Sequence, residues 1–210
     1  MSSKQSTGNR QASLVAAALA LAAERSPAEV TTAALAQAVG LTQGAVFRHF
    51  ENKEAIWIAV IDFAHRELLA RLRVVSEGQP RAMDALRAVF MAHVAFVVEQ
   101  PGVPRVIFQE LQHAQDTPLK ARVRQLMTDY RLLLARLLQQ ARQAGELTPD
   151  TDLQAAAVLF IGSVQGLVMQ SLLSGQVAAM RQLAPPVFEL FRRALAAPAP
   201  RQNGKRETRA

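Results

Sequence analysis

The chain has 210 residues, a formal net charge of +7 and no cysteine. That length can build one large domain or two small ones around a proper core. The missing thiols exclude a disulfide framework, a cysteine nucleophile and a thiolate metal site. The charge is unevenly placed: residues 1–54 hold five basic and four acidic side chains, residues 55–191 thirteen and twelve, and residues 192–210 six against one. The excess belongs to the C-terminal tail, so net charge alone is no argument for a polyanion partner at the N-terminal end.

Half the residues are hydrophobic, strong helix formers dominate, and no stretch alternates with period two, which predicts an all-α protein. A first helix runs from about Arg10 to Ala23 and stops near Ser26-Pro27. Thr31-Thr32 caps a short helix that ends at Gly40, and Thr42 caps the next, ending near Phe50. Asn52 opens a long helix with Ile56, Val60, Phe63, Ala64 and Leu68 on one face. Gly78-Gln79-Pro80 breaks the chain before a helix over 81–99, and the Pro101-Gly102-Val103-Pro104 corner precedes a short helix to about His113. Thr117-Pro118 starts a helix to about Ala144; Thr151-Asp152 starts another that Gly175 closes. The last helix covers about 178–196, with Pro185-Pro186 expected to bend or split its start. Residues 198–210 lack a periodic apolar face and read as a disordered basic tail.

Two apolar runs have other readings. Leu14–Ala23 follows basic residues as a signal peptide would, but it is short and runs into the motif described next. Residues 153–174 carry no charge and are long enough to span a bilayer. Gln154, Gln165, Gln170, Ser163 and Ser171 recur along them, and such groups are costly in lipid. A helix buried in a protein–protein interface is the better reading, and no membrane partner is expected.

Residues 31–50 have helix-turn-helix spacing. Ala36 is small where two helices would cross, and Gly40 can take the left-handed conformation of a tight inter-helix turn. Leu35, Val39, Leu41, Val46 and Phe50 form an apolar seam. Thr42, Gln43, Ala45 and Arg48 point away from it, and Gln and Arg can make paired hydrogen bonds to base edges. The pattern T-T-x-x-L-A-x-x-V-G-L-T-x-G-A-V-F-x-H-F-x-N-K-E over 31–54 resembles the tetracycline-repressor (TetR) family. The resemblance implies a three-helix DNA-binding domain over 10–54 and a ligand-binding, dimerising helical bundle over 55–197. It implies that Gln43, Gly44, Ala45 and Arg48 face bases, and that Thr32, Thr42, Phe47, His49 and Lys53 position phosphates. Two features depart from the family: Phe47 stands where Tyr is usual, and Ser26-Pro27-Ala28-Glu29 replaces the usual Gly after the first helix.

For an effector pocket in the bundle the candidates are Phe63, Phe90, Phe96, Phe108, Met127 and Tyr130, with His65, His93 and Gln165 as polar groups on apolar faces. Glu110 and His113 stand three apart, as metal ligands can, and with His65 and His93 form a metal candidate with nothing to fix its convergence. No phosphate-cradling loop, nucleophile elbow or convincing metal motif occurs, so no enzyme and no cofactor is expected. Leu159, Gly162, Ser163, Gly166 and Met169 on the charge-free helix, with Phe191 on the last, are expected to form a homodimer interface. The expected protein is a cytoplasmic, ligand-responsive repressor of a palindromic operator. A helix-turn-helix protein without small-molecule sensing, or an α-helical binding module, is the alternative.

Overall fold

The computed structural model describes residues 2–196, with side chains from residue 8 onward. The basic tail over 198–210 therefore lies outside the described residues. Among the described residues nine α-helices follow one another: α1 (Ser2–Glu24), α2 (Thr32–Ala38), α3 (Gln43–Val46), α4 (Lys53–Glu77), α5 (Ala82–Glu99), α6 (Gly102–Glu110), α7 (Pro118–Gln143), α8 (Leu153–Ser174) and α9 (Met180–Leu195). No strand occurs among the described residues, so the all-α expectation holds.

Local chemistry sets most of the boundaries. Thr31, Thr42, Asn52 and Thr117 each accept a hydrogen bond at the side-chain oxygen from the backbone N–H three residues on, and Asp152 does so from Gln154 and Ala155. The α5 N-terminus has no such local cap. A side chain from the turn that follows α7 serves instead, Glu146 accepting from the Met83 N–H at 2.9 Å.

Leu14, Val15, Ala18, Leu19 and Ala22 are buried along one stripe of α1, where it meets α2, α4 and α6. Helix α4 belongs to both halves of the molecule: its start packs on α1, and its length packs on α5 and α7. In the bundle, Phe90, Phe160, Phe188 and Phe191 join α5, α8 and α9 through edge and tilted ring contacts with centroids 5.2–6.4 Å apart. The end of α9 is tied to the α7–α8 link where Thr148 N–H donates to the Leu195 carbonyl at 3.0 Å.

Three local expectations change. Pro185 and Pro186 lie inside a continuous α9 and neither split nor start it. Both are exposed, as are Arg181 and Gln182, so the carbonyls that lose their helical donors face water. Helix α6 begins at Gly102, which places Pro104 in its first turn, where a missing N–H costs nothing. The third helix is one α-turn long; the chain reaches Phe50 through successive turns, with His49 and Phe50 N–H both bonded to the Val46 carbonyl.

Candidate nucleic-acid interface and effector cavity

The α2–α3 unit is built around its turn. Gly40 adopts φ +67°, and Leu41 N–H returns to the Ala36 carbonyl at 2.8 Å, which aims α3 across α2. Leu35, Ala36, Val46 and Phe50 are buried beneath it. Thr42, Gln43, Gly44, Phe47 and Arg48 are exposed on the outer side. Gly44 has nothing within 4 Å of where a Cβ would sit, so its missing side chain leaves open approach and no packing need. Phe47 is 47% exposed, unusual for so large an apolar side chain.

The remaining expected DNA contacts are more constrained. Ala45 is a correction: it is buried, because α3 is so short that its inner side carries both Ala45 and Val46. Gln43 Nε2 donates to Thr32 Oγ1 at 2.8 Å, which joins α2 to α3 and leaves the Gln43 carbonyl and one amide proton for a base. His49 is half-buried, and its backbone carbonyl accepts from Gln11 Nε2 on α1. Lys53 is half-buried at the start of α4; its ammonium donates to the Ala28 carbonyl at 3.1 Å, and burial lowers its pKa.

Within the bundle a cavity of about 80 Å³ lies between α4, α5, α6, α7 and α8. Of the expected pocket residues, His93, Phe108, Met127, Tyr130 and Gln165 line it. The others lie elsewhere. Phe90 is held in the phenylalanine cluster, Phe96 is buried with the Arg71 guanidinium over its ring, and Phe63 faces a groove between α1 and α4. His65 Nε2 meets Asp129 at 2.9 Å across α4 and α7 and is not part of the lining. The rest of the wall is aliphatic and includes Ala64, Leu68, Val103, Ile107, Ile161 and Val168. Alternating core residues of this kind carry no sequence mark that separates a cavity wall from ordinary packing.

His93 and Tyr130 form the polar end, with Nδ1 and the phenol oxygen 3.0 Å apart. His93 is half-buried with its ring bordering the cavity, and desolvation by the surrounding protein pulls the imidazole pKa down to about 4. The same burial pushes the Tyr130 phenol up. Both are uncharged at neutral pH. The metal candidate does not assemble: His65 pairs with Asp129, His93 with Tyr130, and Glu110 accepts from the Thr117 hydroxyl, with no cluster of three potential ligands among the described residues.

Helix α6 joins the cavity to the DNA-facing half. Gly102 lies so close to α1 that an added Cβ would stand 3.2 Å from the Leu19 carbonyl carbon and 3.3 Å from Ala22 Cβ. In the last turn of α6, Gln109 Oε1 accepts from the Ala28 N–H at 2.9 Å and from the Ser26 hydroxyl at 3.2 Å. The Ala28 carbonyl in turn holds Lys53. Neither Gly102 nor Gln109 stood out in the sequence; the Pro-Gly-Val-Pro corner read only as a helix breaker.

On α8 and α9 a surface of Val158, Leu159, Met169, Leu173, Leu183 and Leu190 is 45–74% exposed. Gly162 and Gly166 are also exposed and have open space around them, and Ser163 returns its hydroxyl to the Leu159 carbonyl. Phe191 is a correction: it is 3% exposed because it packs on Phe160 and Phe188 within its own chain. Helix α8 is long and apolar enough to cross a membrane. Its Phe160, Ile161, Val164 and Val168 are nevertheless buried in the bundle, as a core helix requires.

A helix-turn-helix head on a larger helical bundle defines a DNA-binding transcriptional regulator. Residues 14–60 match the model of bacterial regulatory proteins of the tetR family, and residues 82–185 match the tetracyclin repressor-like C-terminal domain. The chain belongs to the TetR family of transcriptional regulators. Among curated relatives, the nucleoid occlusion factor SlmA of Vibrio vulnificus (strain YJ016) is 26% identical over 167 residues, covering 79% of this chain and 85% of that protein. The SlmA of Salmonella dublin is 27% identical over 163 residues, 76% and 82% of the two chains. Among solved structures, a TetR transcriptional regulator from Chloroflexus aurantiacus J-10-FL superposes with TM-score 0.77 at 22% identity, covering 92% of this chain and all of that one. The regulator FadR from Bacillus subtilis, in complex with stearoyl-CoA, gives 0.76 at 21% identity, over 85% and 96%.

Proposed function

We propose that this regulator is a homodimeric, cytoplasmic, non-enzymatic repressor, released from a palindromic operator when a small molecule enters the cavity between α4 and α8. Arg48, Gln43 and the open Gly44 read bases; Thr32, Thr42, Phe47, His49 and Lys53 hold phosphates. The exposed apolar face of α8 and α9 is covered by a second copy, which sets two reading heads about one helical turn apart (~34–36 Å) or a multiple of it.

The observation that carries this reading is that α6 is at once a wall of the cavity and the element fixed to the DNA-binding half. It contributes Val103, Pro104, Ile107 and Phe108 to the lining, while its Gly102 abuts Leu19 and its Gln109 holds the Ser26–Ala28 loop. The cavity is well below the ~300 Å³ of typical ligand sites. An occupant must spread its walls, so it favours a state in which α6 and α4 have shifted, and a ligand changes DNA affinity only through that preference. The test is to select an operator from random DNA, then measure its affinity by fluorescence anisotropy while screening lipophilic compounds. A selected palindrome whose affinity no cavity-binding compound alters would overturn the release mechanism.

A second reading has support in the SlmA relatives. On that reading the same head organises the nucleoid without small-molecule control. Genome-wide occupancy separates the two: a site or two beside regulated promoters suits the repressor, and many dispersed sites suit nucleoid organisation.

A further inference from the structure

The cavity lining contains no Asp, Glu, Lys or Arg. Its polar side chains are His93 and Tyr130 at one end and Gln165, exposed on α8, at the rim. Two carboxylates near the lining are engaged elsewhere, Asp129 by His65 and Gln125 and Asp62 by Arg122 at 3.7 Å, and the Arg105 and Arg131 side chains beside Pro104 and Tyr130 are not part of the lining. An ionised head group placed inside would therefore lose its hydration with no opposite charge to meet it, a penalty of several kcal/mol.

The His93–Tyr130 pair has a definite hydrogen-bonding capacity. If the phenol donates to Nδ1, the imidazole keeps an Nε2–H donor and the phenol oxygen keeps a lone pair. If Nδ1–H donates, Nε2 becomes the free acceptor and the phenol proton the free donor. Either tautomer leaves one donor and one acceptor. A hydroxyl uses both and a carbonyl uses the donor. A pure hydrocarbon uses neither and leaves buried polar groups unmatched.

We propose, building on the reading of this cavity as the effector site, that the effector is an uncharged lipophile carrying a single hydroxyl or carbonyl that docks on His93 and Tyr130. A carboxylate, an ammonium group or the phosphates of an acyl-CoA are excluded from the cavity. The aliphatic wall of Leu68, Val97, Ile161, Val164 and Val168 takes the hydrocarbon. Each buried CH₂ tightens binding about fourfold, while the polar pair decides which head group is accepted.

The test uses the full chain and probes of one chain length: octanol, octanone, chlorooctane, octanoate, octylammonium and octanoyl-CoA. Calorimetry reads binding, and operator anisotropy reads release. Octanol and octanone are expected to bind at least about tenfold tighter than either ion or the thioester. Tyr130→Phe deletes one hydroxyl, and H93N is a second variant should the first fold poorly by circular dichroism. Either is expected to reduce octanol binding about fivefold or more and to leave chlorooctane, which lacks the hydroxyl, unaffected. Octanoate or octanoyl-CoA binding as tightly as octanol overturns the proposal, and so does a series in which no neutral member binds. Neutral probes that bind without releasing the operator uphold the head-group preference and overturn the effector reading. Release by an anion alone does the reverse.

Discussion

Gly102→Ala isolates the contact between the cavity-bearing bundle and the DNA-binding half. Gly102 is the first residue of α6 and its φ is not left-handed, so by backbone preference alone alanine should stabilise the helix, by up to ~1 kcal/mol. The packing argues the other way. The new methyl meets the Leu19 carbonyl group and Ala22 Cβ, and the first of these is backbone that no rotamer change can move. Overpacking of this kind costs ~1–3 kcal/mol, with the rigid neighbour placing it in the upper part of that range. The net expectation is a loss of about 1–2 kcal/mol, with α1 displaced from α6. Because α1 supports the helix-turn-helix, operator affinity should fall about tenfold, the equivalent of 1.4 kcal/mol. Urea unfolding at fixed protein concentration and operator anisotropy measure the two effects. A variant as stable as the parent that binds the operator equally well would refute α6–α1 contact as the mechanical link.

Arg48→Ala is expected to weaken operator binding by ~1–3 kcal/mol, concentrated at one base position, with unfolding unchanged because the side chain is exposed; a uniform loss across sequences would make it a phosphate contact. Gly44→Ala has open space and should raise stability by up to ~1 kcal/mol while impairing DNA binding, and unimpaired binding in a gel shift would remove the close-approach role. Pairing Leu173→Glu with Leu190→Glu, both largely exposed, should yield a monomer in sedimentation at micromolar concentration with weakened operator binding; a persistent dimer would place the interface elsewhere. His93 titrates at about 4 in the fold against an ordinary 6.5, so the unfolded chain takes up its proton first and stability falls as pH drops through that window. The loss approaches about 3 kcal/mol near pH 4 and vanishes above about pH 7, and H93N should flatten this arm of the denaturation profile.

The helix-turn-helix was legible because its constraints are local: Thr31, Thr42 and Asn52 cap the helices they precede, and Gly40 makes the turn. The cavity was half legible. His93 and Tyr130 stand out as polar groups on apolar helices, but α5 is apolar on nearly every side, so nothing in its pattern says that Phe90 turns to α8 and α9 while Phe96 turns to Arg71. Phe191 misled for a similar reason. Helix α9 has a buried and an exposed apolar face, and only tertiary packing assigns Phe191 to the first and Leu190 to the second. The α6 links were illegible, since Gly102 and Gln109 act on residues about eighty positions away.

Those links bound what one protomer can transmit. The Gln109–Ala28 and Lys53–Ala28 hydrogen bonds are each worth ~0.5–1.5 kcal/mol net, and the Gly102 contact adds a packing term of similar size. Their sum, ~1.5–4.5 kcal/mol, overlaps the ~1–3 kcal/mol usual for coupling between two sites. Inverting a repressor from almost wholly bound to almost wholly free takes ~5.5 kcal/mol, more than a single protomer supplies. In the proposed dimer, two protomers on one palindrome double the available coupling to ~3–9 kcal/mol, because both heads must fit the operator together. The exposed apolar face of α8 and α9 thus bears on regulation as much as on solubility. Lys53 is where coupling and DNA contact meet: one of its three ammonium N–H groups holds the Ala28 carbonyl, and the others are free to face a phosphate. A shift of α6 that moves the Ser26–Ala28 loop therefore acts directly on a group at the DNA surface.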